Sequence, residues 1–409
     1  MLSGNTVSQI IPFIIAPILT RLFGPEDFAI YANFIAIVGL LAIIAAGRFE
    51  LAFVIPHRKR HAQILFITSC IILIGVVTLS FIIYFLRFQI ASWYNTPQLA
   101  KYMILVPLAI FSLAFHNIQE NWMLREQKFK LITSNRIIQS ATNNLIPAIL
   151  GFVGWGMNGL IYGWILSNLI SVVLLLPAIS RSWEKFQFKG SIAKLLVGRY
   201  RDFPTINSLH AFTDVLATQF LIFWVITNEF GLVALGSFTV MNRYVRAPIS
   251  LVSSAVAQLY YSEAAKMKRE HKDVMPIQKR TIKTTLIFAI PFAVVVVLFA
   301  PTLFEWYLGS EWRVAGEYAQ IATPLLFFRF VSSPISGTPI IFGKQKKAYI
   351  YGVIGYSLGF LSLLVMSQLA YSFKETLMVY SVTMSLYFIF SIYWFLQLSK
   401  KRVINAHIG

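Results

Sequence analysis

Along the chain, apolar runs of about the length of a membrane-crossing helix alternate with short polar segments. A helix needs about 20 mostly apolar residues to cross the hydrocarbon core of a bilayer. Such runs fall near residues 3–22, 28–54, 62–86, 101–118, 131–153, 157–178, 204–228, 231–258, 281–303, 318–342, 348–370 and 376–397. The first and fourth are marginal in length. The pattern predicts an all-α, polytopic membrane protein with twelve transmembrane helices.

The polar segments carry a sidedness. Those after even-numbered spans, with the C-terminal tail, hold 24 of the 35 Lys and Arg; the opposite segments hold 5 and the spans themselves the remaining 6. By the positive-inside rule, both termini are cytoplasmic. FGPEDFAIY at 23–31 parallels FGLVALGSF at 230–238, an offset of 207, about half the chain. Both sit at the turn between the first two spans of a six-span half, as in a parallel repeat about an axis along the membrane normal. The expected organisation is an N-terminal six-helix lobe at 1–180, a basic cytoplasmic linker at 181–203, a C-terminal six-helix lobe at 204–398 and a tail at 399–409. The basic 179–203 segment equally suits an amphipathic helix lying on anionic lipid.

Composition supports the membrane reading: of 409 residues, 57% are hydrophobic and 12% charged, with mean hydropathy +0.69. A soluble chain would carry about 25% charged residues. The net charge of +19 does not indicate nucleic acid, because the basic residues fall in short clusters between apolar spans. Cys70 is the single cysteine, so no intramolecular disulfide is possible. The first apolar segment has no basic region ahead of it and no signal-peptide pattern.

Charges inside spans are the candidate chemistry. TPLLFFRFVSSPISGTP at 323–339 carries Arg329 and is broken by Pro324, Pro334, Gly337 and Pro339. An arginine at the centre of a membrane helix costs about 2.5–3.5 kcal/mol on insertion scales and usually faces a wet cavity or a partner. At about 1.5 Å per residue, Arg329 lies roughly 16 Å in, Arg243 and Arg246 roughly 18 and 22 Å, and Asp214 roughly 15 Å. Arg48 and Glu50 fall toward the cytoplasmic end of the second span. Arg136 lies about one turn into the fifth, where it is read as a snorkelling residue.

Two readings of this set stand side by side. Arginines at one depth suit a pyrophosphate headgroup, since guanidinium donates in a bidentate fork and stays charged. Alternatively, Asp214 neutralises Arg243 or Arg246, and Arg48 pairs with Glu50. Asp214 and Glu50 are also the candidates for binding a coupling proton or cation.

Other features are structural in expectation. Gly159–Gly163 and Gly355–Gly359 are small-residue packing signals, and Gln139, Ser140, Asn143 and Asn144 suit hydrogen bonds to a neighbouring helix. Trp93, Trp155, Trp306, Trp312 and Trp394 lie near span ends, as interfacial anchors do. His116 and His210 stand alone, and no cluster has metal-ligand spacing; neither metal nor cofactor is expected. GTPIIFGKQ at 337–345 has five residues between its glycines and no Ser or Thr after Lys344, so it is not a phosphate loop. No catalytic serine or carboxylate pair marks an enzyme.

SGNTVSQIIPFIIAPILTRLFGPEDFAIYANF at 3–34, AAGRFELAFVIP at 45–56 and the segment from Glu305 to Lys344, with LGSEWRVAGEYAQIATPLLFFRFVSSPIS, resemble the bacterial oligosaccharide-lipid flippases. These are the O-antigen type exporters of the multidrug/oligosaccharidyl-lipid/polysaccharide exporter superfamily. The resemblance covers nearly the whole chain. It implies two six-helix lobes around a central, cation-lined cavity, and transfer of undecaprenyl-pyrophosphate-linked oligosaccharide across the bacterial inner membrane by alternating access. It places Arg48 in the GRFE match and Arg329 in the FFRF match, while Arg243 and Arg246 match no tight motif. Family members carry several residues ahead of the SGN-like element, so the first span is expected to be short at its start. The implied partners are the lipid-linked oligosaccharide, membrane lipids and, as a candidate, the polysaccharide polymerase machinery. A drug or small-cation exporter of the same superfamily would prefer acidic cavity residues. A polysaccharide polymerase or ligase would need a larger outer loop than the one near 87–100.

Overall fold

Inside a bilayer the hydrocarbon offers no hydrogen-bond partner, so polar side chains turn toward the protein and apolar ones toward lipid. The computed structural model describes residues 2–185 and 188–400, and among these it shows helices and turns without a strand. The expected tail lies outside the described residues from residue 401 onward.

The long helices are α1 Leu2–Leu22, α2 Pro25–Ala45, α3 Lys59–Ser80, α4 Val106–Arg125, α5 Phe129–Phe152, α6 Met157–Ser182, α7 at 203–230, α8 Gly231–Arg269, α9 Met275–Leu308, α10 Arg313–Ser332, α11 Gln345–Gln368 and α12 Phe373–Lys400. Eight helical stretches among the described residues are long and apolar enough to cross a membrane, one of them (Phe203–Arg269) containing both α7 and α8. The lipid-facing inversion is plainest on α9, where Ile287, Phe288, Ile290, Leu298 and Phe299 are exposed while Gln278, Thr281 and Thr285 are buried.

Several spans end elsewhere than hydropathy suggests, the eighth continuing past 258 to Arg269. The second does not run to residue 54: α2 stops at Ala45, and Gly47 and Arg48 both adopt left-handed backbone, with φ 60° and 56°. The tenth is not one helix over 318–342. It begins at Arg313 and stops at Ser332, just before Pro334, which has no N–H to give a helix. A single 3-10 turn and the short helix Thr338–Ile341 follow. The fourth continues past residue 118 to Arg125. Trp312 is fully buried and so is no interfacial anchor, whereas Trp93, Trp155 and Trp306 are exposed.

Packing divides the chain into units Met1–Gly236 and Ser237–Gly409. In the first, α1 packs on α5, α5 on α6, α6 on α4, and α4 on α2 and α3, while α7 lies against α2. Its core carries an aromatic cluster of Phe53, Phe66, Trp122 and Trp183, with ring centroids 5.3–6.2 Å apart. The helix Gly190–Arg199 of the basic linker packs on α3 and buries Leu196. In the second unit, α9 packs on α10, and α10 and α11 both on α12.

The small-residue signals are contact points. A Cβ on Gly163 would fall 2.6 Å from the Pro147 ring, and one on Gly355 would fall 2.2 Å from the Tyr387 ring. The tightest approach is at Gly236, whose Cβ would lie 1.8 Å from the Pro25 carbonyl oxygen. Gly236 and Pro25, one from each sequence-related turn, therefore meet within the first unit.

Gly316 of α10 approaches the α9 backbone, and a Cβ there would lie 2.5 Å from the Ala300 carbonyl oxygen. Gly39 of α2 has nothing within 4 Å of its would-be Cβ. Gly316→Ala is expected to lower the melting temperature of the detergent-solubilised protein sharply, at about 1–3 kcal/mol or more of overpacking. Gly39→Ala should leave it unchanged or raise it, by up to about 1 kcal/mol. Equal effects of the two would contradict this packing.

Candidate functional site

The sequence-predicted residues fall into two groups, one in each unit. In the second unit, α8 presents Arg243 and Arg246 one helical turn apart, with Arg243 half-buried and Arg246 exposed. On α10, Arg329 occupies the last turn rather than the middle of a helix, and its carbonyl accepts the Ser333 N–H. That places it about 16 residues from the start of α10, or about 24 Å, deeper than the hydropathy pattern suggests. A cation at this end also complements the negative pole of the helix dipole.

Arg246 and Arg329 both lie close enough to the buried Tyr380 of α12 for their charges to act on its hydroxyl. Three helices thus place two guanidinium groups within electrostatic range of one phenol. The Arg243 guanidinium lies 5.7 Å from the centroid of the Tyr244 ring. Pro324, which supplies no N–H, sits beside a cross-helix bond in which the Leu325 N–H donates to Ser381 Oγ at 3.4 Å. This fastens α10 to α12 next to Tyr380.

In the first unit, Arg48 and Glu50 lie beyond the end of α2, not inside a span. Two consecutive left-handed residues turn the chain sharply, and Arg48 is an uncommon residue in that conformation. The turn brings Arg48 Nη1 to 3.9 Å from Glu50 Oε1. Glu50 is 5% exposed, and neither Arg48 Nε nor Glu50 Oε2 has a hydrogen-bond partner. The pair is long and incompletely satisfied, which leaves donor and acceptor capacity for a ligand or ion. Asp214 lies exposed on α7, between π-helical turns at Phe203–Asn207 and Leu216–Phe220, and makes no ion pair among the described residues.

The structure also shows a polar cluster that hydropathy does not reveal. Arg136 pairs with Glu120 rather than snorkelling alone, and His116 is not isolated. The His116 ring is 3.2 Å from Asn135 Oδ1, Asn135 Nδ2 donates to the Ser171 carbonyl, and Gln119 Nε2 donates to that of Val172. Gln139 Nε2 donates to Asn168 Oδ1, as expected of an amide facing a neighbouring helix. The readable signal was the i, i+4 spacing of His116 and Glu120, which a fourth span ending at 118 concealed. Among the described residues no group of three or more His, Cys, Asp or Glu side chains could hold a metal.

Comparison with known proteins supplies the context. A family model described as "Polysaccharide biosynthesis protein" matches residues 18–317. The chain is 22% identical over 305 residues to the succinoglycan biosynthesis transport protein ExoT of Rhizobium meliloti (strain 1021). That alignment takes in 74% of this chain and 60% of the relative's length. Among solved structures, the fold matches the lipid II flippase MurJ in an inward closed conformation, with TM-score 0.74 and 17% identity, over 98% of this chain and 90% of that one. It also matches an inward-facing multidrug resistance MATE family transporter of the MOP superfamily, with TM-score 0.73 and 15% identity, over 96% of each chain. The chain shares its fold with both of these transporters.

Burial pushes the Glu50 carboxyl above its ordinary value, with the hydrogen bond from its own backbone N–H and the charge of Arg48 opposing. The folded state therefore holds this proton to higher pH than the unfolded chain does, and stability falls as pH rises through that raised value. Glu50→Gln should flatten the decline in melting temperature as pH rises above the ordinary carboxylate range. Parallel declines in wild type and variant would refute the assignment.

Proposed function

We propose that this chain, which belongs to the polysaccharide biosynthesis protein family, is a flippase for an undecaprenyl-pyrophosphate-linked oligosaccharide. The unit carried is an O-antigen or related surface-polysaccharide repeat. It crosses the bacterial inner membrane by alternating access, with no bond made or broken in the substrate. What supports this reading is that Arg246 and Arg329, on two different helices, both act electrostatically on the buried Tyr380 hydroxyl. Two permanently charged donor forks acting on one phenolic hydroxyl suit a diphosphate dianion, and a cation would be repelled there. Arg243, on the same helix, extends the positive surface. Arg48, whose pairing with Glu50 is loose, is a further phosphate contact; Glu50 and Asp214 are the groups for an exchanging proton or cation.

ExoT is a succinoglycan biosynthesis transport protein and MurJ a lipid II flippase; both agree with a lipid-linked glycan here. The excess of Lys and Arg after even-numbered spans supports cytoplasmic termini. Six-span lobes at 1–180 and 204–398, joined by the basic linker, suit rocking between two access states. The polysaccharide polymerase machinery is the natural recipient of the delivered unit.

Multidrug transporters share the fold, so the charge preference of the site is the discriminating property. In a flippase-deletion strain, the wild-type chain should restore surface polysaccharide and clear the accumulated lipid-linked intermediate, identified by mass spectrometry. Arg329→Ala and Arg246→Ala should each reduce restoration about 10–100-fold, the loss of a charge-assisted hydrogen-bond pair, while inserting normally. Lys at either position should recover part of it. Undiminished polysaccharide in both Ala variants, or export of cationic dyes that the intermediate does not inhibit, would reject this function.

A further inference from the structure

At the end of the first unit opposite the basic loops, the chain between α3 and α4 folds into short helices, among them Arg87–Trp93. Beside the C-terminal part of α7 this segment forms a groove of about 640 Å³, lined by Phe88, Gln89, Ser92, Trp93, Trp224 and Asn228. Neither the flippase reading nor the arginine set uses it.

Its construction is unusual for a surface loop. The backbone of Trp93 is pinned from α7 by two side-chain donors: Trp224 Nε1 at 2.8 Å and Asn228 Nδ2 at 3.0 Å both bond its carbonyl oxygen. Asn228 Nδ2 also donates to the Trp224 carbonyl at 3.0 Å. These bonds hold the loop, yet the Trp93 indole itself remains 62% exposed and the Phe88 ring 64%. The two indoles stand 6.3 Å apart between centroids, inclined by 59°. The floor is therefore rigid and its aromatic faces are open.

Ligand class follows from the lining. Three of the six side chains are aromatic, and the other three end in an amide or hydroxyl. None is ionisable. The neighbouring Arg87 is already engaged, with its guanidinium 4.2 and 4.4 Å from the Tyr84 and Phe88 ring centroids and a bond to the Tyr84 carbonyl. An acyl chain would leave Gln89, Ser92 and the Asn228 carbonyl oxygen without partners, and a charged peptide would find no counter-charge. A sugar ring offers both complements, since its C–H face packs on the electron-rich face of an aromatic ring and its hydroxyls meet amides.

We propose that this groove is a carbohydrate-binding platform that receives the oligosaccharide of the substrate on the side of the membrane opposite the basic loops. The inference rests on the flippase reading for the identity of the sugar, but the groove can be tested without transport.

The test uses the full chain in lipid nanodiscs. The probe is the free oligosaccharide repeat unit released by mild acid from the host cell's own surface polysaccharide, followed by saturation-transfer NMR and titration. Wild type should bind it, and Trp93→Ala, which leaves the pinned carbonyl in place, should weaken binding at least about tenfold. Trp93→Phe should stay within about threefold of wild type, because a stacking face is retained. The double variant Gln89→Ala, Ser92→Ala, on exposed positions, should also weaken binding, and guards against misfolding of the Trp93 variants. Arg329→Ala should bind the free sugar as wild type does. Sugar binding that survives Trp93→Ala and the double variant, or no binding by wild type, would overturn the platform. So would quenching of the Trp93 component of fluorescence by brominated lipid that the oligosaccharide does not relieve, since Trp93 would then be a membrane anchor. Sugar binding with the expected variant pattern, in a protein that fails to restore polysaccharide, would uphold the groove and reject the flippase reading alone.

Discussion

The absence of hydrogen-bonding solvent in the bilayer core is the constraint on which this structure depends. It forces Asn33, Gln63, Gln119, Asn135, Asn168 and Gln278 into the protein interior, where each becomes a tie between parts of the chain. Asn33 of α2 reaches Thr227 of α7, and Gln63 of α3 reaches the carbonyl of Glu184 after α6. In a soluble protein these amides would lie on the surface, and the leucines and isoleucines now facing lipid would form the core. The same rule makes the membrane-embedded arginines informative. A guanidinium inside a membrane protein faces a partner or a wet cavity, and Arg246 and Arg329 both act electrostatically on Tyr380.

Much of this architecture was legible in the sequence because it follows from hydropathy and sterics. The helix-length spacing of apolar runs located the helices, and the small-residue pairs at Gly159–Gly163 and Gly355–Gly359 marked true close contacts. What could not be read was where a helix stops inside an apolar stretch. AAGRFELAFVIP is hydrophobic almost throughout, so the turn at Gly47 and Arg48 left no trace in hydropathy. The charge pair it presents was therefore assigned to a helix that has already ended. Arg329 was displaced for a related reason: the end of α10 is set by Pro334, while hydrophobic residues continue beyond it. Partners of buried charges are a third kind of blind spot. Glu120 and Arg136 lie on different helices, and only packing brings them together.

The internal repeat is faint as letters, but three packings recur in both halves. The third and fourth helices of each half pack together, as do the fourth and sixth, and the fifth and sixth. A lipid-facing position asks only for an apolar side chain, so sequence drifts freely there while the pattern of contacts persists. Gly236 against Pro25 is a place where little drift is tolerable, since the approach leaves no space for a Cβ.

The short helix Thr338–Ile341 carries a further consequence. Thr338 Oγ1 donates to the Ile335 carbonyl at 2.7 Å, which leaves its two lone pairs to accept from the Tyr260 hydroxyl at 2.7 Å and from Gln278 Nε2 at 3.4 Å. Gln278 Oε1 in turn accepts from Ser399 at 2.6 Å. One hydroxyl is thus saturated, and α8, α9 and α12 are joined through it. Groups sharing a saturated network do not contribute independently. The effect of a change at Tyr260, Gln278 or Ser399 therefore depends on which of the others has already changed, so these positions are epistatic. A lineage reaches a different knot here by a restricted order of substitutions.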